Sequence, residues 1–309
     1  MNVDAHAAAD GDILAQFGIG PEALIGSGGQ SRVYALDDAR VLRVLKSGGD
    51  VVTLTRLKAF LAGIDGRAAV ATPLIEKIDA RGRYTVERRL PGTAMVALLP
   101  GLKGDHRQRA FANYVAAAEA LAGIEFPDRP YGQILAPAPI RAETWTGYLR
   151  HSLDRARLRN GAVIAGEVGD VEDLRAKALA LLEPLAPRPP KALVHGDYFP
   201  GNVLLDGVQR VTAIVDFSTY TMVGDPLYDM VTAAIFVEMV DRITDDDVAA
   251  VRGLVNARLG EAIKPAARFY RVHAAFVMAD PAFAAPPYPK LYPWALATLR
   301  QFAWDVLPE

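Results

Sequence analysis

The chain contains no cysteine, which excludes disulfide frameworks, thiolate nucleophiles and cysteine-ligated zinc. It has no excess of either charge: 34 Lys and Arg stand against 36 Asp and Glu, for a formal net charge of -2. Phosphate backbones are held by clustered Lys and Arg in excess, so no nucleic-acid partner is expected. Long apolar runs are also missing. The stretch from Met230 to Val240 carries Glu238 and falls far short of the roughly 20 residues of a membrane span. The opening MNVDAHAAADGD has no basic region followed by an apolar core, unlike a secretory signal. A cytoplasmic protein with no membrane partner is therefore expected. No repeat or low-complexity tract interrupts the 309 residues, 51% of which are hydrophobic. That length suits about two domains or lobes at roughly 150 residues each.

Residue texture divides the chain near Pro91-Gly92. Before that point, residues 10–18 suit a short helix. Gly-rich residues 26–29, then Val33-Tyr34, a turn at Asp37-Asp38 and VLRVL read as a β-hairpin. Residues 50–62 suit a helix, and YTVERRL (84–90) reads as a strand stopped by Pro91-Gly92. Beyond the stop the pattern turns helical. Gly104-Asp105 can cap a helix through Ala122, with Phe111, Tyr114, Val115, Ala118 and Leu121 at helical spacing. Residues 143–159 and 171–185 repeat that texture. Short strands are expected at Leu193-Val194 and Val211 to Val215, and mostly helix from Asp225, with Thr244 or Asp245 as an N-cap.

The stretch from Val194 to Asp229 carries the chemistry. It holds HGD at 195–197, Asn202 five residues after Asp197, and Asp216-Phe217 after an apolar strand. Phosphoryl transfer explains this grouping. Its loose transition state asks the protein mainly to position groups and neutralise charge. One carboxylate must accept the proton of the attacking hydroxyl, and Asp197 suits that role. Oxygen ligands must hold Mg²⁺ against the phosphates, an ion that favours one or two carboxylates or amides plus water. Asn202 and Asp216 are the candidates. The Asp-to-Asn interval and the later Asp-Phe pair match the spacing of a kinase catalytic loop and its metal-binding aspartate.

HGDYFPGN, IVDF and GDPLYD together resemble the aminoglycoside phosphotransferase family, which is related to choline kinase and the eukaryotic-like protein kinases. The likeness extends over most of the chain. GSGGQSRV (26–33) follows the kinase Gly-rich pattern, with Ser31 in place of the third glycine, and ERRLPG (87–92) resembles the family's hinge. The resemblance implies an α+β, two-lobed protein-kinase-like fold: a small antiparallel-sheet N-lobe over residues 1–90 and a mainly helical C-lobe over 91–309. It implies Mg²⁺-dependent transfer of the γ-phosphoryl of ATP, or GTP, to a hydroxyl of a small molecule. Backbone N–H groups of Gly26, Ser27, Gly28 and Gly29 would cover the phosphates, and the backbone from Glu87 to Arg89 would meet the base. His195, Asp225 and Asp229 would support the catalytic loop from within. The acceptor would lie between residues 125–170 and the C-terminal helices.

Two departures from the family pattern matter. The phosphate-contacting cation sits on the strand after the Gly-rich loop, where Arg43 is the first choice and Lys46 the alternative. A Glu on the next helix would normally pair with it, yet residues 47–75 contain none, and Asp50 is better placed than Asp65 to stand in. Ser218 also stands where protein kinases have Gly. The alternative function is therefore a nucleotide-binding, pseudokinase-like module without catalysis. A polycationic acceptor would need converging carboxylates, and Glu143, Glu183, Glu238 and Asp305 are scattered along the sequence.

Overall fold

The computed structural model describes residues 3–285 and 289–304. Its N-terminal elements are α1 (Val3–Gln16), β1 (Leu24–Ser27), β2 (Ser31–Ala35), β3 (Arg40–Leu45), α2 (Val51–Ile64), β4 (Ile75–Ile78) and β5 (Tyr84–Arg88). The strands form one antiparallel sheet in the order β1-β2-β3-β5-β4. Val33 pairs with Arg43, and Arg43 in turn with Thr85. Side chains alternate faces along a strand, so this register gives the sheet two chemically different sides. Tyr34, Leu42, Val44, Tyr84 and Val86 pack beneath Ile13 and Leu14 of α1. Ser31, Val33, Arg43, Thr85 and Glu87 share the opposite side.

A buried ion pair pins α1 to the sheet. Arg32 Nε and Nη2 donate to the Asp10 carboxylate at 2.5 and 2.6 Å, and the Tyr34 hydroxyl donates to it at 2.7 Å. Asp10 and Arg32 are only 2% and 6% exposed, so each charge depends on the other for the hydration it has lost. Below the sheet, α2 begins at Asp50, whose carboxylate accepts from the N–H groups of Val52 and Thr53. That side-chain cap satisfies two amides that the helix itself cannot. Leu54, Leu61 and Ile64 form the buried stripe of α2.

The remaining elements are β6 (Thr93–Ala94), α3 (Met95–Leu98), α4 (Gly104–Ala117), β7 (Tyr131–Gln133), β8 (Arg141–Ala142), α5 (Trp145–Glu167) and α6 (Val171–Ala180). They continue with β9 (Ala192–Val194), β10 (Val203–Leu205), β11 (Val211–Ile214), β12 (Met222–Gly224), α7 (Tyr228–Phe236), α8 (Asp245–Leu259), α9 (Lys264–Met278) and α10 (Leu291–Ala303). Two small sheets, β11-β10-β6 and β8-β7-β12-β9, lie among these helices. One apolar core joins Leu61 and Ile64 of α2 and Ile75 of β4 to Phe111 and Tyr114 of α4, Val203, Ile214 and Phe217. A second core gathers Trp145, Leu149, Leu153, Phe269, Tyr270, Phe276, Leu299 and Phe302 between α5, α9 and α10.

The expected fold class is observed: an antiparallel-sheet N-terminal region and a helical C-terminal region. Some boundaries differ. Lys103 is the N-cap of α4, so Gly104 and Asp105 lie inside its first turn. The helix ends at Ala117, short of Ala122, because the chain tightens there: Ala118 N–H donates to Val115 O and Ala120 N–H to Ala117 O. Helix α5 runs on to Glu167, past the expected end at 159. Thr244 is the N-cap of α8, in a reciprocal capping box with Asp247.

Candidate active site

The stretch from His195 to Asn202 leaves β9, forms a tight loop and returns as β10. Gly196 has φ +79°, and a Cβ there would lie 2.2 Å from Tyr220 O, so the turn demands glycine for both conformation and space. Asp229, at the start of α7, holds the loop from below. Its carboxylate accepts from His195 N–H at 2.6 Å and Gly196 N–H at 2.9 Å. Burial nevertheless pushes the Asp229 carboxyl up to about 7, against the opposing pull of those two N–H groups. Asp225 does not reach the loop; its carboxylate accepts from Leu227 N–H at 2.9 Å and shapes the entry to α7.

His195 is fully buried, and burial lowers its pKa. Its Nε2 lies 2.9 Å from Val215 O, and Asp197 N–H donates to Nδ1 at 3.3 Å. A carbonyl can only accept and an amide N–H can only donate, so these partners define the neutral tautomer with the proton on Nε2. The ring therefore braces the loop. Val215 is tied a second time, because its N–H donates to Asn202 O at 2.9 Å. These two bonds fix Asp216, the next residue, relative to Asp197 and Asn202. Asp216 itself has φ +67°, an unusual conformation for a residue other than glycine and one that aspartate tolerates better than most.

Asp197 is reachable from the cleft, yet the surrounding protein strips away most of its hydration. That desolvation, with the Asp216 charge adding to it, raises its carboxyl to about 7. Asn202 Nδ2 donates to Asp197 O at 2.9 Å, which leaves the amide oxygen as the ligating end of that side chain. Asn202 Oδ1 and the Asp216 carboxylate are hard oxygen donors of the kind Mg²⁺ takes. No group of three or more His, Asp or Glu side chains forms a metal cage among the described residues. A two-ligand set matches an ion that keeps most of its shell for water and phosphate oxygens.

From the sheet above, Arg43 reaches into the same space. Its Nη2 donates to Asp216 Oδ1 at 2.5 Å and its Nε to Ser31 Oγ at 3.0 Å. Burial works against the charge, but Asp216 and Glu87 outweigh it, and the pKa of Arg43 is raised. Lys46 points elsewhere: its Nζ donates to Gly28 O at 2.5 Å in the hairpin turn. The turn is closed by Gly28 N–H donating to Ser31 O at 3.0 Å. Gly26 and Ser27 end β1, so the Gly-rich turn joins β1 to β2, the strand that pairs with Arg43's strand.

One expected pairing does not form. Asp50 does not serve Arg43, because its carboxylate is spent capping α2, and Asp65 holds Arg88 at 2.5 Å. In the hinge backbone expected to meet the base, two amides already have partners: Arg88 N–H donates to Leu74 O and Arg89 N–H to Ala39 O. The Glu87 side chain is buried and accepts from the Thr85 hydroxyl at 2.6 Å, while the Arg89 guanidinium donates to Asp37 O. Leu90 N–H is the first hinge amide without a hydrogen-bond partner among the described residues. Just after it, Gly92 has φ +106°, and a Cβ there would lie 2.8 Å from Leu205 O. Glycine thus lets the hinge press against the catalytic hairpin.

Phe217 was not anticipated as a link. Its ring packs 4.8 Å from His195 and 5.9 Å from Phe60 of α2, centroid to centroid, tying the segment after β11 to the helix under the sheet. A buried aromatic directly after the motif aspartate was the only signal for it. Of the scattered acids, Glu238 accepts from Arg252 at 2.8 Å, Trp294 Nε1 at 2.9 Å and Arg271. Glu143 precedes α5 and Glu183 follows α6. Asp305 lies outside the described residues.

The family profile described as "APH: Phosphotransferase enzyme family" matches residues 23–275. Among solved structures, a thermostable mutant of aminoglycoside phosphotransferase APH(4)-Ia superposes with a TM-score of 0.62 at 20% identity, covering 91% of this chain and 93% of its own. ADP-bound aminoglycoside phosphotransferase APH(2'')-Ib gives 0.60 at 14% identity, covering 98% and 99%. Macrolide 2'-phosphotransferase MphH from Brachybacterium faecium gives 0.55 at 18% identity, covering 94% and 97%. At these identities the likeness speaks for a shared fold. No curated protein matches the sequence significantly.

Proposed function

The chain belongs to the phosphotransferase enzyme family, and on that premise we propose that it transfers the γ-phosphoryl group of ATP or GTP to a hydroxyl of a small molecule. The observation that carries the reading is the meeting of Asp197, Asn202, Asp216 and Arg43 at one cleft, from elements far apart in sequence. Asp197 acts as general base. Its raised pKa, about 7, lies near the operating pH, where proton acceptance combines a useful ionised fraction with driving force. The hydroxyl proton passes to Asp197 as the acceptor oxygen bonds to phosphorus, and the nucleoside diphosphate leaves with the bridging oxygen.

Asn202 and Asp216 hold Mg²⁺, which when bound neutralises charge on the phosphates. Arg43 brings its remaining guanidinium N–H donors to the same phosphates. The Gly-rich turn covers them, offering the Gly29 amide because Gly28 N–H is already given to Ser31 O, and Leu90 N–H meets the base. The residue ranges 1–90 and 91–309 serve as nucleotide-covering and catalytic lobes. The absence of a Glu on α2, which favours a module without catalysis, loses weight because Arg43 is held by Asp216 and Ser31 instead.

The acceptor enters beside Tyr220, an exposed ring on the loop that packs against Gly196. Relatives of this fold have been seen with kanamycin, gentamicin and streptomycin. Glu238 is already enclosed by two arginines and an indole, and Asp280 is paired with Arg159 at 2.5 Å, so neither is at hand to meet a polycation. Thermal-shift measurements with ATP and GTP, with and without Mg²⁺, test the first half. Nucleoside diphosphate release over a panel of sugars, amino alcohols, macrolides and aminoglycosides tests the second. A Mg²⁺-enhanced shift and release with a member of the panel are expected. No nucleotide-dependent shift would overturn the reading.

A further inference from the structure

Kinase-type sites orient the strand cation with a carboxylate on the following helix. This chain has no Glu on α2, and Asp50 caps that helix while Asp65 binds Arg88. Yet Arg43 has a fixed orientation. We infer that Ser31, at the third glycine position of the Gly-rich pattern, is a positioning residue that aims Arg43 at the nucleotide phosphates in place of the missing helix carboxylate. This inference rests on the nucleotide-binding reading above.

Four observations support it. Ser31 is 7% exposed, so its hydroxyl is largely withdrawn from water. Its Oγ accepts from Arg43 Nε at 3.0 Å. The Arg43 fork is engaged at its far side by Asp216 at 2.5 Å, so the guanidinium plane is held at two of its corners. Ser31 and Arg43 lie on adjacent strands, and the sheet register puts both on the cleft side.

The chemistry explains why arginine stands here. An ammonium is a point charge with freely rotating donors and needs a counter-charge to place it. A guanidinium is a rigid plane with five N–H donors. Nε can be used to fix the plane while Nη donors remain for paired phosphate oxygens. A neutral hydroxyl suffices as the fixing partner, because Asp216 and Glu87 already supply the compensating charge. A glycine at 31 would leave Nε without this partner.

Calorimetric titration of ATP with Mg²⁺ into wild type, Ser31→Ala, Ser31→Thr, Arg43→Ala and the Ser31→Ala/Arg43→Ala double variant tests the inference, and it needs no acceptor. Ser31→Ala is expected to weaken binding about tenfold, the scale of one hydrogen bond to a charged group. Ser31→Thr, which keeps the hydroxyl, should restore most of it. In the Arg43→Ala background, Ser31→Ala should cost less than about twofold more, because a residue acting through Arg43 has nothing left to act on. Arg43→Lys keeps the charge and lacks Nε, so it should also lose about tenfold, and it serves if Ser31→Ala fails to fold. Unchanged affinity in Ser31→Ala or Arg43→Lys would overturn the inference. So would an equal tenfold loss with and without Arg43, which would mean that Ser31 meets the nucleotide itself. Wild type that binds neither ATP nor GTP would instead remove the functional reading on which the inference stands, and the series is run with GTP if wild type binds only that nucleotide.

Discussion

Arg43 Nη2 and Asp216 Oδ1 lie 2.5 Å apart although 173 residues separate them in sequence. The contact joins the N-terminal sheet to the segment that follows β11, and it brings together the cation and one of the two metal-ligand candidates that the proposed phosphoryl transfer uses. The Arg43 side chain is 19% exposed, against 47% for Asp216. The cation is thus the buried partner, and the carboxylate keeps an open side for an ion.

The two basic residues of β3 and its end should behave differently. Arg43→Ala is expected to raise the KM for ATP by roughly tenfold or more, since it removes a desolvated, charge-assisted contact. Lys46→Ala removes only an exposed donor to Gly28 O, and we expect less than about a threefold change. Steady-state kinetics with varied ATP compares them, and a larger loss in Lys46→Ala would reverse the assignment.

Removing the anchor of α1 should cost stability. Asp10→Ala strips the buried Arg32 of its partner and leaves the Tyr34 hydroxyl without its acceptor. Breaking a buried pair in this way costs about 3–5 kcal/mol. Urea unfolding should show a loss on that scale. A change below about 1 kcal/mol would mean that α1 is dispensable to the sheet.

Acid stability should depend on Asp247. Its carboxyl is held at about 2, below the ordinary 3.8, chiefly by the side-chain hydrogen bonds from Arg107 and also by the capping contacts of Thr244. The ionised form is the favoured one in the folded chain. Its stabilisation is therefore complete above the unfolded value and fades as pH falls through about 2. The shift corresponds to about 2 kcal/mol. Asp247→Asn should lose about that much at neutral pH and show a flatter stability profile between about pH 4 and 2. An unaltered acid profile would contradict the assignment.

The sequence made the chemistry more legible than the scaffold. HGD, Asn202 and Asp216-Phe217 are local patterns, and their spacing alone implies a loop and a returning strand. The Gly-rich hairpin and β5 were legible because alternation and turn residues coincide there. What could not be read is set by long-range packing. β6 is two residues long and exists because Gly92 lets the chain approach Leu205. Asp50 looked suited to Arg43, but helix capping is a nearer claim on its carboxylate than a charge across the cleft. In the hinge, the Arg88 and Arg89 amides are used up by Leu74 and Ala39, pairings that sequence spacing does not reveal.

Everything proposed for the cleft turns on Asp197 as the base of a phosphoryl transfer. The most direct measurement is turnover of ATP by Asp197→Asn, with ATP and Mg²⁺ binding measured in parallel, on the acceptor that supports nucleoside diphosphate release by wild type. Loss of a positioned general base costs about 10²–10⁴-fold in rate, and Asn at 197 keeps the size and the loop contacts of the backbone. A fall in kcat within that range, with ATP affinity nearly unchanged, is expected. Near-normal turnover by Asp197→Asn would contradict it.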